Sequence, residues 1–94
     1  MTNVERQPTD AEINAVLDAF DHISLYINLQ DGRIIGTGWH EVREVLRTLS
    51  DYELWLGLCN LEQAVFDAQE EATPAQVTLF ELFHMVYEQG LDAL

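Results

Sequence analysis

The chain carries three copies of one short pattern, and each copy marks the start of a helix. Ser or Thr stands three residues before Glu or Gln at three points: Thr9 with Glu12, Ser50 with Glu53, and Thr73 with Gln76. In such a capping box the hydroxyl accepts a hydrogen bond from the third helical amide, and the longer side chain accepts one from the cap amide. Pro74 suits the first helical position, where the missing N–H removes no hydrogen bond. Three helix starts in 94 residues predict an all-α fold.

Apolar residues recur at three- and four-residue spacing after each of these starts, which predicts a helix there. The same spacing predicts one further helix that has no capping box. The predicted helices span about 10–30, 38–49, 51–72 and 74–89, which makes a small four-helix bundle. Residues 1–8 are predicted to be a flexible N-terminal lead-in, and residues 9–94 a single helical domain.

The end of the first helix has an alternative. Every second position from 23 to 29 holds a large aliphatic residue: Ile23, Leu25, Ile27 and Leu29. Asp31-Gly32 then precedes a β-branched pair. That pattern is also typical of a β-hairpin, here at about 22–38. An isolated two-stranded hairpin is marginally stable, so the helix is the favoured interpretation.

The charge of the chain is unusually one-sided. Seventeen Asp and Glu stand against four Arg and no Lys, for a formal net charge of −13. No Lys or Arg follows Arg47, although residues 48–94 contain nine acids. Proteins neutralise the phosphates of nucleic acids and anionic membranes with Lys and Arg. The charge therefore argues against direct binding to either and favours a basic protein partner.

The sequence offers no constellation of residues typical of a catalytic or metal site. Glu81 and His84 have the Glu-x-x-His spacing of di-iron bundles, but such a site needs a second copy that this chain lacks. Cys59 lies in an apolar run without a neighbouring base, so we expect a buried structural thiol. We predict no enzymatic activity, no metal and no cofactor.

The same features predict a cytoplasmic location. A single cysteine rules out an internal disulfide framework. The first residues lack a signal-peptide pattern, and no apolar run reaches the roughly 18 residues of a membrane span.

Two surfaces are candidates for partner binding. The first is a group of acids near the end of the third helix: Glu62, Asp67, Glu70 and Glu71. The helix macrodipole is already negative there, so acids in this position cost stability and favour a role in docking. The second is the fourth helix, whose candidates are Phe80, Phe83, Met85 and Tyr87. The structural alternatives are a solvated acidic face and a helix buried on two sides.

In size and charge the chain resembles the small acidic helical proteins that bacteria and phages use as inhibitors, such as immunity proteins, antitoxins, anti-activators and phage anti-defence proteins. No motif carries that resemblance. It implies an inhibitor or regulator that occludes a functional surface of a larger, basic protein. One alternative is a DNA mimic that competes for a nucleic-acid-binding target. Another is an oligomeric structural module, such as a homodimer formed through the fourth helix.

Overall fold

The computed structural model describes residues 7–94, which form four α-helices and no β-strand. The helices are α1 (Asp10–Ser24), α2 (Gly38–Arg47), α3 (Asp51–Ala68) and α4 (Pro74–Gln89). Short 3-10 turns follow α3 at Gln69–Glu71 and α4 at Leu91–Ala93. The all-α four-helix bundle is thereby confirmed. The predicted lead-in lies outside the described residues, except for Gln7 and Pro8.

All three capping boxes form as the sequence predicts. The amide of the third helical residue donates to the cap hydroxyl at 3.2 Å for Thr9, 3.1 Å for Ser50 and 3.1 Å for Thr73. The reciprocal bond from the cap amide to the Glu or Gln side chain is present in each. The start of α2 differs, because Thr37 makes no side-chain cap.

The first helix is shorter than predicted, since α1 stops at Ser24 rather than near Gln30. The Ser24 hydroxyl donates back to the carbonyl of Phe20 at 2.7 Å. Downstream, Ile27 and Ile34 form an isolated antiparallel bridge, which buries Ile27. The segment predicted as either helix or hairpin is therefore a loop over residues 25–37 that contains one bridged pair.

The core lies where α3 and α4 pack together, with α1 against both and α2 against α1. Its buried side chains come from all four helices and the loop: Ile23, Ile27, Val42, Leu46, Leu54, Leu58, Leu61, Leu79, Leu82, Phe83 and Val86. Phe83 is fully buried and meets Phe20 edge-to-face, with ring centroids 5.2 Å apart. The 25–37 loop is attached to α4, because the Thr78 hydroxyl donates to the Gly32 carbonyl at 2.6 Å.

The acidic part of the chain begins on the last turns of α3 and continues into the connection to α4. α3 ends at Ala68, four residues before the predicted end, because Gln69 takes a positive φ of 52°. A 3-10 turn then carries Glu70 and Glu71 into the connection to α4.

Candidate partner-binding surface

The four acids predicted at the end of α3 are all exposed. Glu62 and Asp67 lie on the last two turns of the helix, and Glu70 and Glu71 lie on the 3-10 turn that follows. The Asp67 carboxylate accepts a hydrogen bond of 2.9 Å from the side chain of Gln63, which restrains it. The acidic group predicted from the sequence is thus a set of solvent-exposed carboxylates at one end of α3.

Phe66 belongs to this surface, although it is not among the residues predicted to bind a partner. Its side chain is 74% exposed, although a phenylalanine in a small domain is usually buried. It follows Glu62 by four residues, so the two side chains share one face of α3. Helical spacing is the signal that could have identified it, since Phe66 is five residues beyond the buried Leu61 and off the core stripe. We call the set Glu62, Phe66, Asp67, Glu70 and Glu71 the Phe66 surface.

No positive side chain compensates the Phe66 surface within residues 7–94. Each of the three described arginines is engaged elsewhere. Arg33 lies 3.9 Å from Asp31, Arg47 lies 3.4 Å from Glu44, and Arg43 donates to the backbone oxygen of Leu94 at 2.9 Å. The exposed ring therefore shares its part of α3 with carboxylates that none of the described arginines neutralises.

The electrostatic cost of these acids is smaller than the sequence analysis supposed. Glu71 stands two residues before Thr73, the N-cap of α4. The positive end of the α4 macrodipole lies there and favours nearby carboxylates. This attraction opposes the repulsion between the carboxylates and the negative end of α3. A loss of stability caused by these acids is therefore weak support for a docking role. The exposed aromatic ring is the stronger observation.

The four candidates on α4 do not form one surface. Phe83 is fully buried in the core, which corrects its predicted place among partner-binding residues: its ring packs against Phe20 and over Gly57. Phe80 is half-buried and packs against the core cluster, and Tyr87 on the same flank is 42% exposed. Met85 is half-buried and, by helical spacing, lies on the other flank of α4.

The spacing of Glu81 and His84 is that of a metal-binding pair. His84 instead lies beside the ring of Phe80, with centroids 5.9 Å apart, and 3.9 Å from the Glu88 carboxylate. Among residues 7–94, no three His, Cys, Asp or Glu side chains gather in a way that could hold an ion.

Cys59 is exposed, which is a further correction to the sequence analysis. The apolar run that contains it is buried on one side only, and Cys59 faces outward, three residues before Glu62. Partial desolvation and, second, the charge of Glu62 raise the pKa of the Cys59 thiol. Both effects disfavour the thiolate, which is the reactive form.

Comparison of the chain with protein-family models, curated proteins and solved structures found no match. None of the helices within residues 7–94 combines the length and the apolar character needed to cross a membrane.

Proposed function

We propose that this protein is a small acidic inhibitor or regulator that binds a larger, basic protein and occludes a functional surface of it. The observation that carries the proposal is Phe66, an aromatic ring 74% exposed among the carboxylates of the Phe66 surface. Aromatic side chains are enriched among the few residues that dominate binding energy at interfaces.

The charge distribution supports a basic partner. The surrounding carboxylates would guide a positively charged protein into encounter, while the ring supplies contact area after docking. Attraction of this kind acts mainly on the association rate and weakens as salt screens it. The two parts of the surface thus have separable kinetic roles.

Affinity capture from the source cells, followed by mass spectrometry, identifies the target. Binding of the purified target is then compared for the wild type and for Phe66→Ala and Leu29→Ala. Leu29 is the matched control, because its side chain is 75% exposed but lies in the 25–37 loop. We expect Phe66→Ala to weaken binding by about 30-fold, as for an interface hot spot, and Leu29→Ala to have little effect.

The salt dependence of binding tests the role proposed for the carboxylates. Raising NaCl should slow association with the target and change dissociation much less. Equal binding by Phe66→Ala and the wild type would remove the ring from the interface. An association rate that is independent of salt would remove the role of the carboxylates.

DNA mimicry is the alternative, and the composition of the Phe66 surface is less suited to it. A mimic needs carboxylates that follow the phosphates of a duplex, about one charge per 1.7 Å of axis. An exposed phenyl ring has no counterpart in such a row. If the captured target binds DNA, a competition experiment decides: mimicry requires that duplex DNA and this protein exclude each other.

A homodimer through α4 would instead make the chain an oligomeric module. Each copy carries a formal charge of −13, so association must overcome repulsion between like charges. The mass in solution distinguishes the two functions, since our proposal expects a monomer when the target is absent.

A further inference from the structure

A second surface of the molecule has the character of a docking groove. An open groove of about 460 Å³ runs between α1 and α2 and reaches the first turn of α3. Its floor is apolar and is formed by small or medium side chains: Ala15, Ala19, Val45 and Leu49. Because Ala15 and Ala19 are one helical turn apart, α1 leaves a shallow channel where larger side chains would have filled the space.

The rim of this groove is acidic. Its carboxylates come from three helices: Asp18, Glu41, Glu44 and Glu53. Among residues 7–94 the groove is lined by no Lys or Arg, and His22 is the one lining residue that can carry a positive charge. Glu44 has a neighbour in Arg47 at 3.4 Å, an exposed pair of little strength, and Glu53 accepts the Ser50 amide in its capping box.

Asp18 and Glu41 are different from the other two rim acids. Both are exposed, and neither has a hydrogen-bond or ion-pair partner within residues 7–94. They lie on α1 and on the first turn of α2, so the groove carries free negative charge from both of its walls.

We propose that the groove between α1 and α2 docks a basic amphipathic helix of a partner protein. The apolar residues of that helix would lie over Ala15 and Ala19. Its Lys or Arg side chains would pair with Asp18 and Glu41. Helix-in-groove recognition needs this combination of an apolar channel and charge complementarity along its edges.

The shape and charge of the groove disfavour other occupants. Small-molecule sites bury most of their ligand, whereas this groove is open to solvent. A second copy of this chain would bring its own excess of negative charge to an acidic rim.

This inference goes beyond the proposed function, because it concerns a separate place on the molecule. Glu53 lies on the first turn of α3 and Phe66 on its last, so the groove and the Phe66 surface are about 20 Å apart along the helix. Either surface can fail its test without the other.

The probe is a synthetic peptide of about 18 residues, long enough for a helix of about 27 Å. Its Leu residues occupy one face and its Lys residues flank that face. A peptide of the same composition in scrambled order has no apolar face, and a third peptide replaces Lys with Glu. Each is titrated into the ¹⁵N-labelled full chain at about 0.15 M NaCl.

We expect only the basic amphipathic peptide to bind and to shift the amides of groove residues. Asp18→Lys with Glu41→Lys should weaken this binding by about tenfold or more. The matched control is Glu81→Lys with Glu88→Lys, which changes the net charge equally on the exposed side of α4. That control and Phe66→Ala should bind the peptide nearly as well as the wild type.

Several results would overturn the inference. The groove is not the site if the shifts appear at the Phe66 surface instead, or if no binding is seen. If the scrambled peptide binds as tightly as the amphipathic one, the overall charge of the protein holds the peptide and the groove does not. The same conclusion follows if the two double variants weaken peptide binding equally.

Discussion

Gly57 has no room for a side chain, because the aromatic ring of Phe83 lies where its Cβ would be. A Cβ added there would lie 2.5 Å from Cε2 and 2.7 Å from Cδ2 of Phe83, whose ring is fully buried. Glycine in a helix interior usually costs about 0.5–1 kcal/mol relative to alanine. At this position the glycine is required for α3 and α4 to approach each other.

Gly57→Ala should therefore destabilise the protein despite the better helix propensity of alanine. Overpacking a core costs about 1–3 kcal/mol, which exceeds the gain in propensity. Urea denaturation measures the free energy of unfolding. Gly36→Ala is the control, since nothing lies within 4 Å of a Cβ there, and it should change stability by less than about 0.5 kcal/mol.

A double variant tests the assigned cause. Phe83→Leu removes the ring that the new methyl group would meet, so Gly57→Ala should cost less in that background than in the wild type. Additive losses would show that the Phe83 ring is not what makes glycine necessary.

The thiol of Cys59 should be less reactive than an ordinary exposed thiol. Burial and then Glu62 raise its pKa, so at about pH 8 the folded chain holds less thiolate than the unfolded chain. Alkylation by iodoacetamide should be slower in buffer than in urea. Glu62→Gln should speed it in the folded state, although only in part, because desolvation remains.

Asp67→Asn is the matched control for that experiment, since it removes one charge from the same helix two turns beyond Cys59. It should leave the alkylation rate nearly unchanged. An equal effect from both substitutions would mean that the overall charge of α3, rather than Glu62, controls the thiol.

At the scale of the element, the starts of the helices were predictable and so was the end of α4 at Gln89, but the ends of α1 and α3 were not. A capping box is a local arrangement of four residues, so Ser50 and Glu53 determine the start of α3 without help from the rest of the chain. Those two ends involve a distant contact and an unusual conformation. α1 ends at Ser24, three residues before Ile27, which pairs with Ile34. α3 ends at Ala68, because the next residue, Gln69, has a positive φ, which this residue type rarely takes.

The residues of the candidate site were also predictable only in part. The acids were predictable because charge is visible in the sequence and carboxylates stay exposed. Phe83 was predicted to bind a partner and Phe66 was not, whereas the structure buries Phe83 and exposes Phe66. Phe83 fits over Gly57, while Phe66 is one of the last helical residues of α3 and remains exposed.

The contribution of a helix cap to stability can be tested with a control in the same protein. Ser50→Ala removes the hydroxyl that accepts the Glu53 amide, so it should cost about 1 kcal/mol of unfolding free energy. Thr37 precedes α2 and makes no side-chain cap, so Thr37→Ala should cost much less. Both variants are compared by urea denaturation at one pH. Equal losses would mean that the loss of a hydroxyl, rather than of a cap, is being measured.

At the scale of the whole molecule, α3 connects the two acidic surfaces, although most of the groove belongs to α1 and α2. The described chain measures 39 × 30 × 24 Å, and α3 runs through its core with the groove at its first turn and the Phe66 surface at its last. With a formal net charge of −13, the folded chain retains repulsion among its carboxylates, and binding a basic partner would relieve it.

That repulsion should be measurable in the isolated protein. With a formal charge of −13 and no Lys, screening should raise the free energy of unfolding by about 1 kcal/mol between low salt and about 0.5 M NaCl. NaCl is preferred to sulfate, because sulfate stabilises most proteins by exclusion from their surfaces. Glu81→Lys with Glu88→Lys changes the formal charge from −13 to −9 (−13 + 4 = −9), so it should be more stable at low salt and respond less to NaCl. A loss of stability with NaCl would instead mean that attractive pairs such as Arg47 with Glu44 outweigh the repulsion among the carboxylates.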